Sequence, residues 1–537
     1  MPPAAVPTPP HPDDPPGWWE QRWLLITLVL ATAVPLLWPE TPPLTDLPGH
    51  IGRYRIQLGI DQSASLARYF GFEWALIGNL GVDLLIERLA RLIGLEPAVK
   101  LIVTAIPMMT AAGFLLVARE LNGRVPPTAF FALPLAYSFP FHFGFVNFAL
   151  SMALALLAFP LWVRLGRTER FRLRAALFVP ISVAIWVCHT FGWGLLGLLA
   201  YAVEVADERD RRGSGRLAAF FKGGLHCIPL ALPFLLMLVW RSGAVAGGNG
   251  DWFNWDAKGR WMIGILRERW ELWDKAGAIL LIALPMLAIL PLGFRMRHAT
   301  VLAVLFMLLI FTLLPRILLG SAYADMRLAP YMVAVAVLGV RPKGWTERYS
   351  GVLAAAGLLF FAARLAVTTH TFIDIDRVWR GQLAALDQVR PGSRVLVQAS
   401  VPCARAWRSD RIEHIGSFAI VRRDAFTNDQ WAMPGAQLVT IRYFGGAPHF
   451  VGDPSQMMRP WGCISWRETT LAWTMKRLPA GAFDYLWMIS LPQPSWPKDP
   501  RLIPVWTGPG RGILYRFAGS ATRARETPNG SAARPTR

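Results

Sequence analysis

Long apolar runs recur along the first two thirds of this chain, and they restrict its fold more than any other feature. Eleven can be marked, at residues 23–38, 98–118, 126–141, 144–163, 174–188, 190–204, 217–240, 277–294, 299–319, 328–341 and 349–368. A helix satisfies its own backbone donors and acceptors, so helices are the open solution for such runs in hydrocarbon. Several are shorter than the ~20 residues a bilayer normally asks for, which gives a bundle of about 11 spans. Composition agrees: 54% of residues are hydrophobic, only 17% are charged, and 24 of 537 are Trp. Mean hydropathy is +0.36, a balance that soluble globular chains rarely show.

The net charge of +20 raises the question of nucleic acid. The Arg residues fall mostly in short segments between apolar runs and in the carboxy-terminal part, with no aromatic-and-basic RNA motif or Cys/His finger spacing. Positive-inside anchoring explains them better, and no nucleic-acid partner is expected. Five alternate loops carry the positive charge: Arg119 and Arg124; Arg164, Arg167, Arg170, Arg172 and Arg174; Arg209, Arg211, Arg212, Arg216 and Lys222; Arg295 and Arg297; and Arg341, Lys343 and Arg348. All five lie in the cytoplasm if the amino terminus does. That arrangement requires residues 126–163 and 174–204 each to form a hairpin.

Residues 1–19 are Pro-rich and predict a disordered cytoplasmic tail. No small-residue cleavage site follows the first run, which is therefore a retained span. The membrane domain covers 20–370, with a first outer loop at 39–97. Within that loop Leu76, Leu80, Val82, Leu85, Leu89 and Leu92 recur at near-helical spacing, which suits a helix on the membrane surface or one packed on the bundle.

From 371 to 518 the pattern changes. A helical segment at 378–389 leads into strand-like runs at 394–398, 419–421, 438–441, 485–489 and 513–517, separated by Pro, Gly and Asn turns. The fold class is thus mainly α, a multi-pass transmembrane helix bundle with a carboxy-terminal extracytoplasmic α/β domain. Residues 519–537 form a polar, basic, disordered tail. Of four cysteines, Cys188 and Cys227 sit in apolar runs as small hydrophobes. Cys403 and Cys463 fall in the outer domain, where an oxidising compartment permits a bridge between them.

The titratable residues of the outer connections are the candidate chemistry, because charge near a bilayer is costly unless used. Asp46, His50 and Arg53 follow the first run closely. A helix starting near Pro48 puts His50 and Arg53 on one face with Asp46 at its amino-terminal end. The acid there can take a proton from a hydroxyl or hold a divalent cation such as Mg or Mn, while Arg53 or Arg55 meets a phosphate with its planar fork. The alternative is that Asp46 is a helix cap and the basic residues meet lipid headgroups. His142 and Asn147 belong to a hairpin tip rich in Phe that can line a sugar or isoprenoid cavity, or serve as an interfacial belt. His189 is a core histidine or a site member. Asp325 and Arg327 are two apart and do not share a helix face, so each points to a different partner.

The pattern Pro-Pro-Leu-x-Asp-x-Pro-x-His-x-x-Arg, at Pro42, Pro43, Leu44, Asp46, Pro48, His50 and Arg53, resembles that of a set of bacterial integral membrane proteins. Together with an acid after the first span, a surface helix and an outer α/β domain, the chain is similar to GT-C-type glycosyltransferases. The resemblance implies transfer of a sugar from a polyprenyl-phosphate donor to an extracytoplasmic acceptor in a bacterial inner membrane, with a periplasmic carboxy-terminal domain. It implies Asp46 as base or metal-organising acid, assisted by a second outer acid sought among Asp61, Glu73 and Asp83. A lipid or glycan transporter or flippase, and a non-catalytic assembly protein, remain the competing classes.

Overall fold

The structure, a computed structural model, describes residues 16–241, 248–318, 320–401, 407–433, 437–459, 469–479 and 481–519. The tails at 1–15 and 520–537, and Cys403 and Cys463 with the bridge expected between them, lie outside the described residues. Two compact units emerge. The first comprises 1–47, 74–376 and 433–438; the second comprises 48–73, 377–432 and 439–537.

The first unit is helical. Ala324–Gly339 is buried at every residue and is surrounded by Leu95–Asn122, Glu271–Met286 and His298–Leu313. Val146–Arg167 packs against Leu95–Asn122 on one side and Thr190–Asp210 on another. The second crossing is close because Gly192 has no side chain: a Cβ there would sit 2.4 Å from the Ser151 backbone, the small-residue approach common between helices in lipid.

Four helices among the described residues are long and apolar enough to cross a membrane: Leu95–Asn122, Val146–Arg167, Phe171–Cys188 and the continuous Gly344–Gln388. The pair Arg216–His226 and Ile228–Leu238, bent by 47°, makes a fifth if it is one span. The expected eleven are not all full-length helices. Glu271–Met286 and Ala324–Gly339 have 16 residues each, about 24 Å of helix against a ~30 Å hydrocarbon core. The 126–141 run is broken into Ala129–Ala132, the 3-10 turn Leu133–Tyr137 and Phe139–Phe143. The chain does break where the hairpins require it, at Gly144 with φ 102° and at His189 with φ −168°.

The five basic loops meet one another. Arg164 Nε and Arg167 Nη1 donate to the Glu120 carboxylate at 2.6 and 3.0 Å, and Arg297 donates to the Asn122 carbonyl at 3.3 Å. His298 lies 3.2 Å from Asp210, Phe294–Arg295 pairs with Arg341–Pro342, and Arg124 donates to Glu20 at 2.7 Å. The helix at Gly81–Ile93 buries Val82, Asp83 and Ile86 against the bundle and leaves Leu84, Leu85, Leu92 and Ile93 exposed.

The second unit is built on a mixed sheet. Arg394–Ser400 lies parallel to Phe426–Thr427, Met457–Met458 and Tyr485–Pro492, and the sheet continues antiparallel through Arg511–Phe517 to Leu502–Thr507. A separate ribbon pairs Phe70–Phe72 with Val439–Ile441. Residues 48–73 thus share a core with the carboxy-terminal part: Ile56, Leu66, Tyr69 and Phe70 pack with Leu396, Phe426, Phe483 and Leu486. One expected strand is corrected. Residues 419–421 belong to the helix Phe418–Arg423, because three apolar residues alone carry no period that separates strand from helix.

Candidate functional site

Asp46 is fixed by its backbone. Its N–H donates to the Phe143 carbonyl at 2.8 Å, and that of Thr45 donates to the His142 carbonyl at 3.2 Å, so the turn after the first helix is laced to the segment at 139–144. The lacing needs Gly144. A Cβ at this left-handed position would stand 2.8 Å from the Asp46 nitrogen, where no ordinary contact fits.

Arg327 supplies the opposite charge. It lies in the first turn of Ala324–Gly339, is 8% exposed, and the Asp46 carboxylate is the charge that acts on it. Its guanidinium sits 4.2 Å from the Phe145 ring centroid and 6.0 Å from that of Phe191, and Nη2 donates to Ser321 Oγ at 3.2 Å. Nε is buried with no hydrogen-bond partner among the described residues. A buried cation with an unused donor beside one carboxylate suits an anionic ligand.

His189 faces the same cation. Its Nδ1 accepts the Phe191 N–H at 3.2 Å, which leaves Nε2 as the nitrogen bearing hydrogen, and the ring packs edge-on to Phe148.

Three further residues close this neighbourhood. Tyr323, at φ 64° and ψ 36°, packs on Phe143 at 5.4 Å and Trp261 at 5.7 Å. The Arg316 guanidinium lies 5.8 Å from the Tyr323 ring and is paired with Asp251. Arg267 stands over Phe139 at 5.0 Å and interacts electrostatically with Tyr323. Sequence reasoning passed over all three. A left-handed tyrosine has no sequence signature.

Other expected members have different engagements. Asp325 is fully buried and lies 3.6 Å from Lys258 Nζ, which also donates to the Phe311 and Leu314 carbonyls at 2.7 Å. The pair ties the end of one helix to the start of another. Asn147 accepts the Val82 N–H at 2.6 Å and donates to the Asn79 carbonyl and Asp83 Oδ2 at 2.8 and 3.0 Å, so it anchors the Gly81–Ile93 helix. His142 packs between Tyr137 and Phe372. Asp83 is buried beside Asn147, while Asp61 and Glu73 are exposed. Among the described residues no three His, Cys, Asp or Glu side chains gather as a cation-holding group.

In the second unit, the helix predicted from Pro48 runs Leu47–Gly59. His50 packs on Trp431 at 5.0 Å and stacks toward Tyr54, and His414 meets the same indole at 4.5 Å. Its Nδ1 lies 3.2 Å from the Asp429 carbonyl and its Nε2 is 3.7 Å from Asp453. Gln430 donates to the Gly49 carbonyl at 3.1 Å and to Ser417 Oγ at 2.7 Å. Burial, then the charges of Arg53 and His414, hold the His50 imidazole well below its usual range. Burial also pushes Asp429 up to about 6, against the hydrogen bonds its Oδ1 accepts from Ser417 and Thr427. Arg53 is 2% exposed over the Tyr54 ring, and Arg55 is committed to Asp424 at 2.7 Å. His50, Arg53 and Arg55 therefore sit in a polar seam that holds their helix to the 414–431 segment.

No protein-family model matches the chain, and no curated protein matches it. Among solved structures it is similar to the crystal structure of ArnT from Cupriavidus metallidurans bound to undecaprenyl phosphate, with 11% sequence identity, a TM-score of 0.47, and coverage of 93% of this chain and 98% of that one.

Proposed function

We propose that the chain is an integral membrane glycosyltransferase that moves a sugar from a polyprenyl-phosphate-linked donor to an acceptor outside the cytoplasm. The observation that carries this reading is Arg327: its buried guanidinium keeps an unused donor, and Asp46, on the first outer turn, acts on it electrostatically. In this reading Arg327 meets the donor phosphate, with His189 Nε2 as a further donor, while the phenyl rings of Phe145, Phe148 and Phe191 receive apolar parts of the lipid. Asp46 accepts the proton of the attacking hydroxyl, and loss of that proton makes the oxygen the nucleophile at the sugar carbon as the phosphate departs. Arg267 and Arg316 add positive potential around Tyr323. No step runs through a metal ion.

The supporting topology has eleven crossings, with residues 16–20 and the five basic loops in the cytoplasm and the Asp46 turn outside. Membrane lipids are its other partner.

Asp46→Asn tests the reading. Transfer from a polyprenyl-phosphate-linked sugar should fall at least a thousandfold with membrane abundance unchanged, since a general base is worth roughly 10²–10⁴ and a nearby guanidinium loses its counter-charge as well. Wild-type transfer by this variant would instead favour the assembly class, in which the spans serve as an anchor.

A further inference from the structure

We propose that Tyr323 is a positioning residue, whose ring, set on a strained left-handed backbone, holds the Asp46 turn and the start of the Arg327 helix in one arrangement; this rests on the reading that Asp46 and Arg327 act together. A bulky residue with positive φ is an outlier that persists only where its surroundings over-determine it. Glycine would take φ 64° freely, yet this position carries a large ring. That ring touches what the site is built from. Phe143, 5.4 Å away, owns the carbonyl that accepts the Asp46 N–H. Trp261 closes on the ring edge at 5.7 Å, and Arg316 lies over it at 5.8 Å. The next residue, Ala324, donates its N–H to the Arg316 carbonyl at 3.0 Å and opens the helix that carries Arg327. One side chain thus joins the acid's backbone anchor to the helix that presents the cation.

The test compares Tyr323→Gly, which removes ring and strain together, with Tyr323→Phe, which keeps both, in the full chain in lipid nanodiscs. Three quantities are read: hydrogen exchange at the Asp46 amide, the dissociation constant of undecaprenyl phosphate as probe, and the melting temperature. Tyr323→Gly should speed Asp46 exchange at least tenfold and weaken the probe about tenfold without lowering the melting temperature, while Tyr323→Phe matches wild type in all three. Unchanged Asp46 exchange in Tyr323→Gly overturns the assignment. So does a lowered melting temperature with faster exchange throughout the helices, because the ring would then be packing alone. If wild type itself does not bind the probe, the donor reading fails, and the exchange rates still decide the role of Tyr323.

Discussion

Asp429 and His50 show how far single residues in the second unit stand from their solution behaviour. Folding raises the Asp429 carboxyl from 3.8 to about 6. Between those values the folded chain holds a proton that the unfolded chain has released, so stability falls as pH rises through the window and is flat above it. His50 has the opposite sign: its depressed imidazole costs stability as pH falls below the usual 6.5. A difference between two variants in one background isolates the acid. Asp429→Asn should gain on wild type by up to about 3 kcal/mol between pH 4 and pH 6, at ~1.4 kcal/mol per unit, and by no more above pH 6. A melting difference that does not change with pH would show that the carboxyl is not held neutral by the fold. At Gly144, an alanine must find room 2.8 Å from the Asp46 nitrogen at a φ that side chains avoid. Gly144→Ala should cost about 1–3 kcal/mol and reduce transfer more than tenfold, and equal transfer would separate the Asp46 turn from catalysis. Some of this was legible in sequence. Asp46, His189 and Arg327 stand out as titratable groups between apolar runs, and helical period alone separates Asp325 from Arg327, which the structure sends to Lys258 and to the Asp46 side respectively. Tyr323 was not legible, because a backbone dihedral leaves no mark in residue type.

Among elements, the Gly81–Ile93 helix shows how a side chain from another segment starts a helix. Leu80 offers no side-chain cap, and Asn147 takes over by accepting the Val82 N–H while its amide donates to the Asn79 carbonyl and to Asp83. Asn147→Ala leaves a buried N–H and a buried carboxylate oxygen without that partner, which should cost about 2–4 kcal/mol. Asn147→Asp should cost more, since it sets a second carboxylate against Asp83 in a water-poor position. Limited proteolysis at 74–80 in detergent reads the effect, and an Asp variant no more labile than the Ala variant would refute the account. The strands expected at 394–398 and 485–489 fall within Arg394–Ser400 and Tyr485–Pro492, each of which is buried over at least five consecutive residues. Leu502–Thr507 was missed because Pro504 argues against a strand. It is tolerated there because this strand hydrogen-bonds to Arg511–Phe517 alone, at the edge of the sheet.

At the scale of the whole molecule, the charge pattern carried more than the span count did. Helix length alone marks four or five crossings among the described residues, because 16-residue helices, 3-10 turns and a bent pair stand beside the long spans. The basic loops do find one another: 119–124 with 164–167 through Glu120, 122 with 297, 210 with 298, and 295 with 341. Loops that alternate along the chain and meet in space must emerge at one end of the first unit, whatever the length of the helices between them. Glu20 joins them through Arg124, which places the start of the first helix at the same end. In the proposed topology, positive-inside bias sets that end in the cytoplasm. The last helix, Ser350–Leu383, begins just after the basic loop at 341–348 and runs 34 residues, about 51 Å, well beyond one bilayer core. Its apolar part ends near Thr369, and Asp374, Asp376, Arg377 and Arg380 follow. A helix that starts at the cytoplasmic end and crosses once must leave on the other side, so a phosphatase reporter fused after Thr369 should be active and a fluorescent reporter that matures only in cytoplasm should be dark. The reverse pattern would mean an even number of crossings, and the Asp46 turn would then have to be placed again from the first helix onward.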